Sequence, residues 1–226
     1  MAPLIPPRFS FMIKLFVFDL GNVILPFEHR QIGAKLYERS RDRKNLTPQR
    51  VFDVLFDMEE GLINRYEEGL MSSSEFFEDL KSRFELDMDL EAFKDIWNPI
   101  FREDEDVKQA ILYLKEKGYP LFLLSNTNEL HFSYIMEKYP IVHVFDEWIL
   151  SFEVGAKKPE ERIFRTIFEK MDIRAEEVFY IDDIPPYVEA ARALGIDGMI
   201  FRDAEQLWDA VNSKAGATQA RALRSS

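Results

Sequence analysis

Four short stretches of this chain carry residue types that chemistry needs: FVFDLGNVIL from Phe16, LLSNTN from Leu123, GAKKPE from Gly155 and YIDD from Tyr180. An aspartate that ends an apolar run can be a nucleophile, a metal ligand or merely a helix N-cap, and for one such residue alone the N-cap weighs most. The set changes that balance. Asp19, Ser125 with Asn126, Lys157-Lys158-Pro159, and Asp182-Asp183 together offer a carboxylate nucleophile, hydrogen-bond donors for phosphate oxygens, a cation and an oxygen-rich site suited to Mg²⁺.

These residues need elements to bring them together. Apolar runs of strand length occur at Leu15 to Phe18, Leu121 to Leu124, Trp148 to Leu150, Val178 to Ile181 and Met199 to Phe201. Helical spacing lies between them. PEERIFRTIFEKM repeats Ile163, Ile167 and Met171 at four-residue steps beside Phe164 and Phe168, with Pro159 at a permissible helix start. DVKQAILYLKEKG puts Val107, Ile111 and Leu114 on one face and stops at Gly118, and YVEAARALG stops at Gly195. Alternation of buried strands with helices predicts an α/β, Rossmann-like parallel sheet with helices on both faces and right-handed crossovers. Ligands of such sheets bind at the carboxyl ends of the strands. Asp19, Ser125 and Asp182-Asp183 are therefore expected in one crevice.

Residues 28–102 have a different texture, rich in Phe, Leu, Arg and Glu. TPQRVFDVLFD has Thr47 as N-cap and Pro48 in the first turn. SSSEFFEDLKSRF places Phe76, Phe77, Leu80 and Phe84 on one face, and DLEAFKDIWNPIF does so for Leu90, Phe93 and Trp97. The segment reads as a helical cap inserted after the first strand, hinged near Pro26 to Glu28 and near Arg102 to Asp106. Residues 13–27 and 103–212 form the core in this division. Residues 1–12, with three prolines, read as a flexible extension, and the small, polar stretch 213–226 reads as a disordered tail.

A formal net charge of −12 argues against a nucleic-acid or anionic-membrane surface, which needs clustered Lys and Arg. With no cysteine, disulfides, thiolate metal sites and Cys nucleophiles are excluded, in keeping with a reducing compartment and a cytoplasmic location. No apolar run has transmembrane length, and no GxxxxGK[ST] phosphate loop is present.

FDLGNVI, LLSNTN, GAKKPE and YIDD, in this order and with a helical insert after the first, resemble the four signature motifs of the haloacid dehalogenase superfamily over about residues 13–205. With EEGLMSSSEFF in the insert, the chain looks most like bacterial phosphatases of that superfamily acting on glucose 1-phosphate and the phosphatase domain of soluble epoxide hydrolases. The resemblance implies a Mg²⁺-dependent phosphatase of a small phosphorylated metabolite. Asp19 would be the nucleophile that becomes an aspartyl phosphate. Mg²⁺ would be held by Asp19, the Gly21 carbonyl and Asp183, with Asp182 behind them. Ser125 and Asn126 would grip phosphate oxygens, and Lys158, with Lys157 as the alternative, would pair with nucleophile and phosphate.

Two departures stand out. Most such phosphatases carry at position 21 a second aspartate that protonates the leaving group and later activates water; here it is Gly21. Loss of a general acid or base typically costs about 10² to 10⁴ in rate. Another group or water substitutes, or the substrate leaves well unprotonated, which favours sugar 1-phosphates over 6-phosphates. Four residues after Asp183, where many relatives have Asn or Asp, stands Tyr187, after Pro185-Pro186. The alternatives are a metal-independent 2-haloacid dehalogenase and a non-catalytic binding protein. His29, His131 and His143 have no metal-ligand spacing; His29 and Arg30 lie where the insert begins and have structural or surface roles as the simplest reading.

Overall fold

The structure, a computed structural model, describes residues 12–57 and 61–222, with 216–222 as backbone alone. The apolar runs become β1 (Leu15–Phe18), β2 (Leu121–Ser125), β3 (Glu147–Leu150), β4 (Val178–Asp182) and β5 (Asp197–Ile200), one parallel sheet in the order β3-β2-β1-β4-β5. The last strand begins two residues before Met199 and leaves Phe201 out, because its pairing with β4 starts at Phe179↔Asp197. The helices are, in chain order, α1 (Arg30–Arg39), α2 (Pro48–Phe56), α3 (Leu62–Glu67), α4 (Ser73–Arg83), α5 (Leu90–Trp97), α6 (Glu105–Glu116), α7 (Glu129–Lys138), α8 (Ser151–Val154), α9 (Glu161–Lys170), α10 (Pro185–Ala193) and α11 (Ala204–Ala222).

Successive strand residues point to opposite faces, and both faces are buried. Phe16, Phe18, Leu121, Leu123, Phe179 and Ile181 pack with Ile111 and Leu114 of α6, Ile135 of α7 and Leu207 and Val211 of α11. Leu15, Val17, Phe122, Leu124, Val178 and Tyr180 pack with Ile163, Phe164 and Ile167 of α9 and Val188 of α10. From β1 the chain steps outward to β2 and β3, then crosses back to place β4 on the other side of β1. The direction of winding thus changes at β1, which opens a crevice beyond its carboxyl end.

Helices α1 to α5 bury a separate apolar cluster, centred on Phe76, Phe93 and Trp97. Their ends are set by local chemistry. Thr47 accepts from Arg50 N at 3.1 Å, Ser72 and Glu75 form a capping box, and Asp89 accepts from Ala92 N at 2.9 Å. Where the chain leaves and re-enters the sheet layer, two segments run antiparallel, with Arg102 N donating to Pro26 O and Glu28 N to Ile100 O, each at 3.0 Å.

Residues 1–11 of the proline-rich start, and 223–226, lie outside the described residues. The polar stretch after Ser213 does not begin a disordered tail: α11 runs through it to Ala222, with Ala215 buried and Lys214 paired with Asp197. Its Ala, Lys, Gln and Arg residues are good helix formers, a property that small size and polarity conceal.

Candidate active site

Asp19 follows β1 by one residue, Ser125 and Asp182 are the last residues of β2 and β4, and Asp183 is the next residue after β4. The topology thus gathers them at the winding switch. Lys158 reaches them from the loop before α9, and its side chain is 1% exposed. All three of its donors are used: Nζ donates to Asp19 Oδ1 at 2.6 Å, to Asp182 Oδ2 at 2.7 Å and to Leu124 O at 3.1 Å. Burial works against the charged lysine, but Asp19 and Asp182 outweigh it and hold its pKa above the ordinary value. Burial pushes the Asp19 carboxyl above the usual carboxylate range against the pull of Lys158, and Asp182 and Asp183 push the same way.

Asp182 is fully engaged. Its Oδ2 also accepts from the Tyr180 hydroxyl, and its Oδ1 accepts from Ile184 N at 2.8 Å. Asp183 is less enclosed, and burial followed by the neighbouring Asp182 raises its pKa. One ligand oxygen from each of Asp19, Asp182 and Asp183 lies within 4.8 Å of the others. Three carboxylates facing one ammonium leave a formal excess of two negative charges in a largely dry site. An oxygen-only donor set with that deficit fits a hard divalent cation such as Mg²⁺ and does not suit Zn²⁺. With both Asp182 oxygens already accepting hydrogen bonds, Asp19 and Asp183 are the side chains with capacity for the ion. The Gly21 carbonyl is on the turn that follows Asp19, tightened by Asn22 N donating to Leu25 O at 3.1 Å.

Asn126 clamps the lysine loop: its Nδ2 donates to Lys158 O at 3.0 Å and its Oδ1 accepts from Lys158 N at 2.8 Å. What Asn126 can offer an anion is therefore its backbone. Ser125 Oγ makes only a 3.4 Å contact with Asn126 O, so its hydroxyl can turn to another acceptor. The structure separates the two lysines: Lys157 Nζ donates to Asn64 Oδ1 and lies 3.7 Å from Glu68, away from Asp19. Tyr187 does reach the cluster, with its ring centroid 5.2 Å from Lys158 Nζ and its hydroxyl 3.4 Å from Asn126 Nδ2.

A Cβ at Gly21 would lie 2.8 Å from Phe27 Cε1, so the ring of Phe27 fills the ground that a side chain at 21 would need. His29 stacks on Phe52 and meets Phe56 edge-on, Arg30 is exposed at the head of α1, and His143 bonds Met136 O. His131 is buried, stacks on Trp97, and joins Asn128 (3.1 Å) to Trp97 O (3.0 Å). Residue types alone did not single out Tyr180, Asn22 or Glu67. Tyr180 had a signal, since it is two positions before Asp182 in a strand and so shares its face. Asn22 hydrogen-bonds Asp183, and Glu67, at the end of α3, is close enough to Lys158 to feel its charge and to Tyr187 for the phenol to feel that of Glu67.

Among the described residues no helix is long and apolar enough to cross a membrane. Residues 13–195 match the haloacid dehalogenase-like hydrolase family. D-ribitol-5-phosphate phosphatase of Bacteroides thetaiotaomicron is 25% identical over 82% of this chain and 90% of its own length. Bifunctional epoxide hydrolase 2 of Sus scrofa is 28% identical over 43% of this chain and 18% of its own. A crystal structure of a haloacid dehalogenase-family enzyme from B. thetaiotaomicron, in complex with magnesium and inorganic phosphate, superposes with a TM-score of 0.70 at 25% identity, over 84% of this chain and 94% of that one.

Proposed function

The chain belongs to the haloacid dehalogenase-like hydrolase family, and we propose that it is a Mg²⁺-dependent phosphatase of a small phosphomonoester, a sugar phosphate by preference, working through an aspartyl phosphate on Asp19. The observation that carries this reading is the buried Asp19–Lys158–Asp182 cluster beside Asp183, a nucleophile with its cation and room for a divalent ion. A 2-haloacid dehalogenase has no need of that acidic excess.

Asp19 attacks phosphorus through a carboxylate oxygen, and Lys158 holds that carboxylate and offsets charge on the transferring group. Asp182 and Tyr180 fix the lysine from behind. The Ser125 hydroxyl and the Asn126 backbone N–H bind phosphate oxygens. When bound by Asp19, the Gly21 carbonyl and Asp183, Mg²⁺ supplies Lewis-acid stabilisation of the phosphoryl oxygens. Helices α1 to α5 serve as the cap that excludes water and selects the substrate. With Gly21 in place of the usual acid, esters with good leaving groups, such as anomeric phosphates, react most readily unless a different acid stands at the leaving oxygen. The bacterial relative is named for a 5-phosphate, a primary alkyl ester whose leaving oxygen needs such an acid.

The test is phosphate release from p-nitrophenyl phosphate, glucose 1-phosphate and glucose 6-phosphate, with Mg²⁺ and with EDTA, by the wild type and Asp19→Asn. Mg²⁺-dependent release that the substitution abolishes is expected. No release from any ester, with chloride release from a 2-haloacid instead, would overturn the reading.

A further inference from the structure

The proton that Gly21 cannot supply must come from another group or from water. Restoring an acid at position 21 is obstructed by Phe27, whose ring is held between Phe101 and His29. The sheet offers no spare group either: Asp182 and Lys158 are fully hydrogen-bonded, and Asp19 and Asp183 are committed to the nucleophile and the ion.

The layer above the sheet does offer one. Helix α3 is held against the rim of the crevice at several points. Lys157, next to the buried Lys158, donates to Asn64, and the Tyr66 hydroxyl accepts from Leu130 N at 3.2 Å. A Cβ at Gly69 would lie 2.1 Å from Phe152 O, so only glycine permits that approach to α8. Asn64 and Glu67 are three residues apart and share a helix face. Glu67 therefore faces the same lysine loop that Asn64 touches. Its carboxyl makes no hydrogen bond or ion pair among the described residues, although it is half-buried. Buried carboxylates are ordinarily paired, and one left unpaired beside a crevice is poised for proton transfer.

We propose that Glu67 is the general acid and base of this site: a catalytic carboxyl delivered by the cap in place of the aspartate absent at position 21. The proposal rests on the phosphatase reading above. In the first step an Asp19 oxygen bonds to phosphorus, the bond from phosphorus to the ester oxygen breaks with its electron pair going to that oxygen, and the Glu67 proton passes to it, giving the free alcohol. In the second, the Glu67 carboxylate takes a proton from water as the water oxygen bonds to phosphorus. The Asp19–phosphorus bond breaks, Asp19 regains its carboxylate and inorganic phosphate leaves, with Glu67 protonated again. The charged groups around Glu67 are Lys157, Lys158 and Glu68, and the Tyr187 phenol is near enough to feel its charge. Burial raises its pKa to about 7, against the pull of the two lysines, so the carboxyl holds a proton near neutrality and can still release it.

The experiment compares wild type with the isosteric Glu67→Gln on p-nitrophenyl phosphate, whose leaving group needs no proton, and on glucose 6-phosphate, whose leaving group does. Both are followed in the first turnover and at steady state. For Glu67→Gln we expect a stoichiometric burst of p-nitrophenolate at near wild-type rate and then turnover slowed about 10² to 10⁴-fold, because water is no longer activated. With glucose 6-phosphate the first turnover itself falls by a similar factor, and the decline of the wild-type rate above pH 7 disappears. Steady-state rates within threefold of wild type on both esters would overturn the proposal. So would an equal fall in both first turnovers, the mark of a displaced helix; Glu67→Asp, expected to recover part of the rate, then fails to recover any. A wild type inactive on all phosphate esters would overturn the phosphatase reading and this proposal with it, whereas an active wild type with an unaffected variant removes Glu67 alone.

Discussion

On the sheet side of the crevice the charged groups Asp19, Lys158 and Asp182 are almost completely buried, and each is held by fixed partners; on the helical side Glu67 is half-buried and held by none. The first arrangement makes a rigid, preorganised centre, where charges cost little further reorganisation during reaction. The second leaves a proton that can move. The supporting layers differ in kind as well. Strand ends fix the first set through backbone pairing, while an aromatic cluster of Tyr66, Phe76, Phe93 and Trp97 fixes the second through packing. Rigid electrostatics and mobile proton chemistry are thus assigned to different halves of the chain.

The contrast can be broken most forcefully at Lys158. Lys158→Met leaves Asp19 and Asp182 buried without their cation, so activity should fall at least about 10³-fold and urea unfolding should show a loss of about 3–5 kcal/mol. A loss of activity with stability intact would mean that the pair is not buried in solution.

On the other side, Trp97→Ala removes a fully buried ring that stacks on Phe93, Phe56 and His131. A comparable loss of about 3–5 kcal/mol is expected from packing alone. Because the sheet clusters do not include Trp97, the surviving folded protein should retain phosphoryl transfer to Asp19 while losing substrate affinity.

A smaller effect joins the two halves. His131, on α7, is buried against Trp97, and burial pushes its pKa down to about 4 from the ordinary 6.5, only partly offset by its bond to Trp97 O. The unfolded chain therefore binds this proton at higher pH than the folded one. Its contribution is complete above pH 6.5 and lost as the pH falls toward 4, by on the order of 3 kcal/mol at most. Melting temperature measured across that window should drop in the wild type and drop less in His131→Asn.

The same contrast governs how much could be read from the chain before its structure. Buried parallel strands are continuous apolar runs, so their positions stand out and the acids that interrupt them at Asp19 and Asp182-Asp183 stand out too. The edge strand β5 shifted by two residues because its extent follows its pairing with β4 rather than its own hydropathy. Lys157 and Lys158 are equivalent by type and neighbourhood; only the folded loop turns one into the sheet and the other toward Asn64. Glu67 is one of two adjacent glutamates in a charged segment, and its place near the crevice depends on contacts of α3 with α7, α8 and the lysine loop, all distant in sequence. Non-local packing of that kind leaves no periodic trace.

The most direct test of the central claim is to mix the protein with Mg²⁺ and p-nitrophenyl phosphate, quench in acid within the first turnovers, and map the phosphorylated peptide by mass spectrometry. One phosphoryl group on Asp19 is expected, absent without Mg²⁺ and enriched in Glu67→Gln, whose second step is slowed. Steady phosphate release with Asp19 unmodified at every quench time, in wild type and variant alike, would contradict it.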